Sequence, residues 1–170
     1  HFFEMSELAV KTGAYLAKLL QVEDAQIVSS ASAGIAQSVA AVIGQGSSFH
    51  LYHPYSEKIQ RREIILPKGH NVDYGTPVEV MVQQGGGQVV EAGYANMCSV
   101  DHIAQMISPQ TAAILYIKSH HTVQKSMLSV KETAQVAKQS GIPLIVDAAA
   151  EEDLFRYIQE GADLVIYSGA

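Results

Sequence analysis

Short apolar runs without polar alternation recur along this chain of 170 residues, and segments with helical periodicity separate them. A strand that is apolar at every position is buried on both faces, which is typical of parallel sheets. Parallel neighbours need a long crossover connection, usually a helix. The pattern therefore predicts an α/β fold with three layers, in which a mostly parallel sheet carries helices on both faces.

Spacing of apolar residues, together with Gly, Pro and Ser at the ends of the periodic segments, defines the elements of this prediction. Residues 47–60 are polar and aromatic without a clear period, so we expect a loop or an irregular helix there. The predicted helices span residues 2–20, 32–43, 76–84, 99–106, 129–139 and 151–159. The predicted strands span residues 25–29, 63–66, 88–91, 112–117, 142–146 and 164–167.

Composition excludes several classes of partner. The chain has 17 acidic against 11 basic residues and a formal net charge of −6, which disfavours nucleic acid and anionic membranes as partners. Its single cysteine, Cys98, rules out an intrachain disulfide and fits a reducing compartment. No apolar run is long enough to span a membrane and no signal sequence is evident, so we expect a cytoplasmic location. His1 is not an initiator residue, and we expect the chain to lack segments at both ends.

The most informative carboxylate is Asp147, which ends a buried apolar run and is followed by small residues. Ligands of parallel α/β sheets bind beyond the carboxyl ends of the strands, where Asp147 is expected. It either caps the segment that follows it or acts as a buried anion that keeps a heteroaromatic nitrogen protonated. In the second case the small Ala149 would lie flat under the ring.

The stretch of small residues at 29–34 joins a predicted strand to a predicted helix. Small side chains, unpaired amides at a helix start and hydroxyl donors together form a phosphate cradle. The alternative interpretation is a plain helix cap by Ser30 or Ser32, and the stretch taken alone favours this cap. No dinucleotide fingerprint or Walker lysine is present, so the sequence supports neither an NAD nor an ATP site.

Histidines follow two further predicted strands. His70 comes after the strand at 63–66, where it could stack on an aromatic ligand, and His120 and His121 come after the strand at 112–117. The histidine pair lacks further ligands at suitable spacing, so we predict no metal site, and contact with a ligand oxygen is the better interpretation. Arg61 and Arg62 follow an irregular aromatic segment that either reaches a site or forms a surface loop.

These strand-end features together resemble the fold-type I pyridoxal-phosphate enzymes. The stretches at 30–36, 85–93 and 147–154 are similar to the selenocysteine-synthase-like branch, and most closely to the ammonia-lyases of that branch that act on D-glucosaminate 6-phosphate. The resemblance covers essentially the whole chain. In this family a Ser-x-x motif directly precedes the lysine that binds the cofactor covalently. Ser168 begins that motif here, so the lysine is expected at position 171, just beyond Ala170.

The resemblance implies a role for each matching residue in binding pyridoxal 5′-phosphate. Asp147 is implied as the catalytic carboxylate that pairs with the ring nitrogen, and His70 as the residue stacked on the ring. The other implied cofactor contacts are Ala31, Ser32 and Ala33 in the phosphate turn, Ala149 beneath the ring, and Ser168 at the phosphate. The implied substrate contacts are His120, His121, Arg61 and Arg62, with Lys68 as a further cation.

The resemblance also implies that residues 1–170 form the central part of a cofactor-binding large domain, without an N-terminal segment, the lysine and a C-terminal small domain. In the implied reaction a phosphorylated amino sugar acid first loses its β-hydroxyl as water and then releases ammonia by hydrolysis, which gives a 2-keto-3-deoxy acid phosphate. A selenium transferase acting on seryl-tRNA and a non-catalytic domain with this fold remain alternatives. We expect a homodimer or a larger homo-oligomer, with some of Tyr52, His53, Tyr55, Arg61 and Arg62 at or near a subunit interface.

Overall fold

A single sheet of parallel strands forms the centre of the computed structural model, which describes residues 4–169. Its strands lie in the order β2-β1-β3-β4-β5, and all four pairings are parallel. The strands are β1 (Glu63–Pro67), β2 (Gln88–Ala92), β3 (Thr111–Ile117), β4 (Leu144–Asp147) and β5 (Leu164–Ile166). The predicted architecture is therefore confirmed. The predicted strand at 25–29 is wrong, because Ile27 in its middle is 66% exposed and the run has no buried face.

Helices connect the strands, as the parallel pairing requires. They are α1 (Met5–Leu20), α2 (Ala31–Gly44), α3 (Ser48–Tyr52), α4 (Val78–Gln84), α5 (Val100–Met106), α6 (Val130–Ser140) and α7 (Arg156–Gln159). The first residues of the helix predicted at 2–20 lie outside the described residues. The helix predicted at 151–159 is wrong in its first half, because the Asp153 side chain accepts the amides of Phe155 and Arg156 and holds a turn there.

Alternate residues of each strand point to opposite faces of the sheet and supply two separate cores. On one face, Ile65, Ile114 and Val146 pack with Ala134 and Val136 of α6. On the other face, side chains such as Ile64, Leu115 and Ile145 pack with residues of α2 and α4. Burial on both sides explains why the strands read as continuous apolar runs.

Helix α2 runs antiparallel to the strands. Gly34 in its first turn lies against Ile166 at the carboxyl end of β5, so close that a Cβ on Gly34 would be 2.9 Å from Ile166 Cγ2. Near its other end, the Val42 carbonyl accepts from Arg61, which also donates to Thr111 at the start of β3. The amino end of α2, with its positive dipole and unpaired amides, therefore lies at the carboxyl edge of the sheet.

No helix within residues 4–169 combines the length and the apolar character that crossing a membrane requires.

Candidate functional site

Asp147 is the central group at the carboxyl edge of the sheet. It is the last residue of β4 and only 4% exposed. Its Oδ1 accepts the amide of Ala149 at 3.1 Å, and its Oδ2 accepts the hydroxyl of Tyr74 at 3.1 Å. Burial raises the pKa of this carboxyl, and the two hydrogen bonds oppose that rise. Within residues 4–169 no lysine or arginine forms an ion pair with it, so Asp147 is a buried acid without a cationic partner.

Tyr74 lies over this carboxylate, and the sequence did not single it out. It follows the 3₁₀ turn after β1 and remains 36% exposed. Burial, followed by the charge of Asp147, raises the pKa of its phenol. The hydroxyl therefore stays protonated and donates a hydrogen bond to the carboxylate. An aromatic residue before Gly75 in a turn at a strand end was the available signal, but the contact with Asp147 spans 73 residues.

The histidine pair lies on the same side of the sheet. The rings of His120 and His121 are 4.0 Å apart, and the His121 ring is 5.8 Å from that of Tyr74. Both histidines are exposed. The structure therefore brings His121, Tyr74 and Asp147 into one cluster.

The start of α2 has the features of an anion site. The Ser30 hydroxyl accepts the Ala33 amide at 3.1 Å and so caps the helix. The amides of Ala31 and Ser32 precede the first intrahelical hydrogen bond and have no acceptor within the helix. The predicted cap by Ser30 is therefore confirmed, and the phosphate cradle stays a prediction that the cap does not exclude, because the amides of Ala31 and Ser32 lie at the start of the helix.

Two small residues complete this edge. Ala149 is partly buried, and its amide donates to one oxygen of Asp147. Ser168 is exposed just after β5, the strand whose end contacts the first turn of α2. The parallel register β4 to β5 puts Ile166 opposite Asp147.

His70 follows β1 at this edge but presents no ring face to solvent, which corrects the expectation that it stacks on a ligand. It is fully buried, its Nδ1 accepts the Ile117 amide at 3.3 Å, and its Nε2 bonds the Val123 carbonyl at 3.0 Å. That pairing requires a neutral ring with the proton on Nε2. Burial, the largest cause, lowers the pKa of His70 to about 4. As the chain is folded here, His70 ties the end of β3 to the following loop.

Arg61 and Arg62 lie at the opposite edge of the sheet, which corrects their assignment to the substrate in this subunit. They precede β1, so the parallel sheet separates them from the strand ends that carry Asp147. Arg61 donates to the carbonyls of Val42, Thr111 and Ala112. Arg62 donates to the carbonyls of Ser56, Ile59 and Gly86. The two guanidinium groups thus hold backbone segments together.

Two lysines supply positive charge at the carboxyl edge instead. Lys118 follows β3, where its amide donates to the Asp147 carbonyl at 2.8 Å and its Nζ donates to Gln124 at 2.9 Å. Lys68 follows β1 and forms an ion pair with Glu91 at 3.1 Å. Lys118 directly follows the strand predicted at 112–117, but the sequence assigned it no role, because its approach to Asp147 depends on the pairing of β3 with β4.

Other reactive groups do not join this cluster. Cys98 is buried, and that burial raises the pKa of its thiol to about 11, which makes it a poor nucleophile. Residues 4–169 contain no group of three or more His, Cys, Asp or Glu side chains placed to hold a metal ion.

The chemistry of this edge fits a ligand that carries both a phosphate and a basic heteroaromatic nitrogen. A buried carboxylate without a cation is costly, and a protonated ring nitrogen supplies the missing charge. The amides at the start of α2 suit a phosphate. A side chain larger than a methyl group at Ala149 would obstruct a flat ring beside the carboxylate.

Comparison with known proteins identifies relatives over the whole chain. The family model described as Cys/Met metabolism PLP-dependent enzyme matches residues 11–170. D-glucosaminate-6-phosphate ammonia lyase of Salmonella typhimurium (strain 14028s / SGSC 2262) is 46% identical over 169 residues, which are 99% of this chain and 46% of that protein. A 5′-C-glycyluridine monooxygenase-decarboxylase of Streptomyces sp is 38% identical over 168 residues, 98% of this chain and 42% of that protein. The chain thus spans less than half the length of these two relatives.

A solved structure matches the fold closely. A structure of D-glucosaminate-6-phosphate ammonia-lyase superimposes with a TM-score of 0.95 and 47% identity, covering 100% of this chain and 46% of that chain.

Proposed function

This chain belongs to the pyridoxal-phosphate-dependent enzymes of the Cys/Met metabolism family, and on that premise we propose that the complete protein is an ammonia-lyase acting on D-glucosaminate 6-phosphate. The observation that carries the proposal is Asp147, a buried carboxylate without a cation at the carboxyl edge of the sheet. The 46% identity to a relative of that name supports the substrate.

Residues of this chain would hold the cofactor at both of its ends. The amides of Ala31 and Ser32 bind its phosphate, with Ala33 in the same turn and Ser168 beside it. Asp147 receives the protonated ring nitrogen, and Ala149 leaves room for the ring. The lysine that binds the cofactor is expected at position 171.

Pyridoxal phosphate supplies an electron sink for the bond broken at the substrate α-carbon. The task of Asp147 is to stay ionised, so that the ring nitrogen keeps its proton. Pairing with that cation lowers the carboxyl pKa, against the rise that burial causes. In the net reaction the substrate loses ammonia and becomes a 2-keto-3-deoxy acid phosphate, because the water lost from the β-carbon returns when the C–N bond is hydrolysed.

The substrate carries a carboxylate and a phosphate, so its site needs cations. Lys118 is the best candidate in this chain, since its backbone bonds the Asp147 carbonyl and Gln124 holds its ammonium group. His121 is the second candidate because of its contact with Tyr74. The net charge of −6 favours a small anionic substrate over a tRNA.

We also propose a cytoplasmic homodimer or larger homo-oligomer. Support comes from the apolar surface of α3 and the loop after it, where Leu51 is 72%, Tyr52 75% and Tyr55 66% exposed. Such residues are normally covered in stable assemblies.

The test is an assay of the full-length protein. We expect keto-acid and ammonia release from D-glucosaminate 6-phosphate, weaker or no release from D-glucosaminate without the phosphate, and a visible absorbance band that borohydride bleaches. A colourless preparation that cannot be reconstituted with pyridoxal phosphate would count against the whole proposal. A preparation that binds the cofactor but leaves the sugar acid phosphate intact would count against the substrate alone.

A further inference from the structure

Tyr74 bonds the buried carboxylate of Asp147 from a turn at the surface. Oδ1 of Asp147 is taken by the Ala149 amide, Oδ2 by the Tyr74 hydroxyl, and the residue is only 4% exposed. Tyr74 itself is 36% exposed, so the group that bonds Oδ2 belongs to a side chain that reaches the surface. A ligand nitrogen that pairs with Asp147 at Oδ2 therefore competes with the phenol for this oxygen.

The local chain holds Tyr74 in a turn at the surface, outside the strands and helices. The Asp73 side chain accepts the Gly75 amide at 2.8 Å, and Gly75 has φ +109°, a conformation that strongly favours glycine. Asp73 and Pro77 close the turn through an isolated bridge. Tyr74 thus lies in the seven-residue loop between the 3₁₀ turn and α4, and it belongs to neither of the two cores, so a change of its side-chain rotamer leaves the core side chains in place.

The phenol of Tyr74 also offsets part of the cost of burying the Asp147 carboxylate, as a bound cation would. A desolvated carboxylate needs a donor, and the Tyr74 hydroxyl supplies one where the described residues supply no cation. Hydrogen bonding by Tyr74 therefore offsets part of the cost of burying Asp147 and competes with any other donor for Oδ2.

We propose that Tyr74 is a gate over Asp147: its hydroxyl occupies the position of the cofactor ring nitrogen in the cofactor-free protein and leaves that position when the cofactor binds. The inference rests on the proposed function, because it requires a pyridine ring at Asp147. Tyr74 is here a positioning residue that competes for the carboxylate, and it takes no part in bond breaking.

The test measures binding of 4′-deoxypyridoxine 5′-phosphate, which keeps the ring nitrogen and the phosphate but has no aldehyde to react with a lysine. Isothermal titration of the full-length protein, freed of cofactor at pH 8, compares wild type with Tyr74→Phe. The matched control is Tyr55→Phe, which removes a hydroxyl that donates to the Gln84 carbonyl at 3.3 Å on another part of the surface.

We expect Tyr74→Phe to lower the dissociation constant about tenfold, since a hydrogen bond to a charged group has to be broken only in the wild type. Tyr55→Phe should leave it unchanged. An equal or higher dissociation constant in Tyr74→Phe overturns the gate while leaving the proposed function intact. Absence of analogue binding by the wild type overturns the proposed function and the gate with it.

A second measurement is made on the wild type and does not depend on the affinity of the variant. In protein with ¹³Cζ-labelled tyrosine, the Tyr74 resonance is assigned as the signal missing from Tyr74→Phe, or from Tyr74→Leu if the first variant does not fold. We expect this resonance to shift when the analogue is added, as the phenol exchanges the carboxylate for water. An unchanged Tyr74 resonance on a saturated protein contradicts the gate.

Discussion

At the scale of single residues, Asp147 decides the chemistry of the site. Asp147→Asn keeps an oxygen for the Ala149 amide but removes the charge that would hold the ring nitrogen protonated. We expect turnover of D-glucosaminate 6-phosphate to fall by roughly two to three orders of magnitude, the range for losing one preorganised electrostatic contact. The assay should be run on the full-length protein beside its absorbance spectrum, which reports bound cofactor.

Asp153→Asn is the matched control for that variant. Asp153 also accepts backbone amides in the loop after β4, those of Phe155 and Arg156, and its charge faces no ligand in our proposal. Near wild-type turnover in both variants would mean that Asp147 serves only to fix the turn at Ala149.

His70 gives a prediction about stability and pH. Its pKa is lowered from 6.5 to about 4 in the folded protein, chiefly by burial, so between these pH values the unfolded chain binds a proton that the folded chain does not. The contribution of His70 to stability is complete above pH 6.5, falls as the pH drops to about 4, and changes no further below that. The loss amounts to roughly 3 kcal/mol over this range.

Urea unfolding of the full-length protein at intervals from pH 7 to pH 4 measures this effect. We expect the pH dependence to be flatter in His70→Gln than in the wild type, although the variant is less stable throughout because two buried backbone groups lose their partner. His53→Gln, at an exposed histidine, should keep the wild-type slope. An equal slope in His70→Gln would show that His70 does not titrate as described.

Position along the chain was enough to predict some of these residues and not others. Asp147 was placed at the carboxyl edge because it ends a strand of a parallel sheet. The small residues at 31–33 stood out as a helix start, although the strand predicted before them does not form. The role of His70 was not predictable, because its partners Ile117 and Val123 are 47 and 53 residues away. Tyr74 was missed for the same reason, since nothing near it in sequence indicates the contact with Asp147.

At the scale of elements, the close packing of α2 on β5 sets the position of the proposed phosphate site. A Cβ at Gly34 would lie 2.9 Å from Ile166 Cγ2, so Gly34→Ala should push the first turn of α2 away from the sheet. Overpacking lowers the free energy of unfolding by about 1–3 kcal/mol, and the better helix propensity of alanine raises it by about 1 kcal/mol. We expect a small change in stability but a loss of affinity for 4′-deoxypyridoxine 5′-phosphate of about tenfold or more.

Gln37→Ala on the exposed face of the same helix is the control and should change neither quantity. If Gly34→Ala bound the analogue as tightly as the wild type, the amides of α2 would not be the phosphate contact.

The helices that were predicted well from the sequence have both apolar residues at helical spacing and a capping or helix-ending residue at their ends. Ser129 caps α6 in a box with Glu132, and Gly141 ends it in the left-handed conformation, as the pattern indicated. The run at 25–29 is apolar but finds no neighbouring strand, and the acidic start at 151–153 forms turns before α7. Local propensity favoured regular structure in both places, and the tertiary contacts available there did not.

At the scale of the whole molecule, the fold leaves an apolar surface on α3 and the loop after it. Arg61 and Arg62 drop out of the subunit interface predicted from the sequence, because their guanidinium groups donate to backbone carbonyls of their own subunit. Tyr52 remains from the predicted set, and the structure adds Leu51, its neighbour in α3; each is more than 70% exposed. Tyrosine is a frequent anchor of interfaces, so we expect these two residues to be covered in the assembled protein.

Tyr52→Glu tests this assignment, because it introduces a charge that a buried interface cannot solvate. We expect full-length wild type to be at least dimeric by light scattering after size-exclusion chromatography. Tyr52→Glu should dissociate at a protein concentration about tenfold or more above the concentration at which the wild type dissociates. Lys131→Glu, a charge change at an exposed position of α6, controls for net charge and should leave the assembly intact. A monomeric wild type would refute the oligomer. A Tyr52→Glu variant that assembles like wild type would show that the interface lies on another face of the molecule.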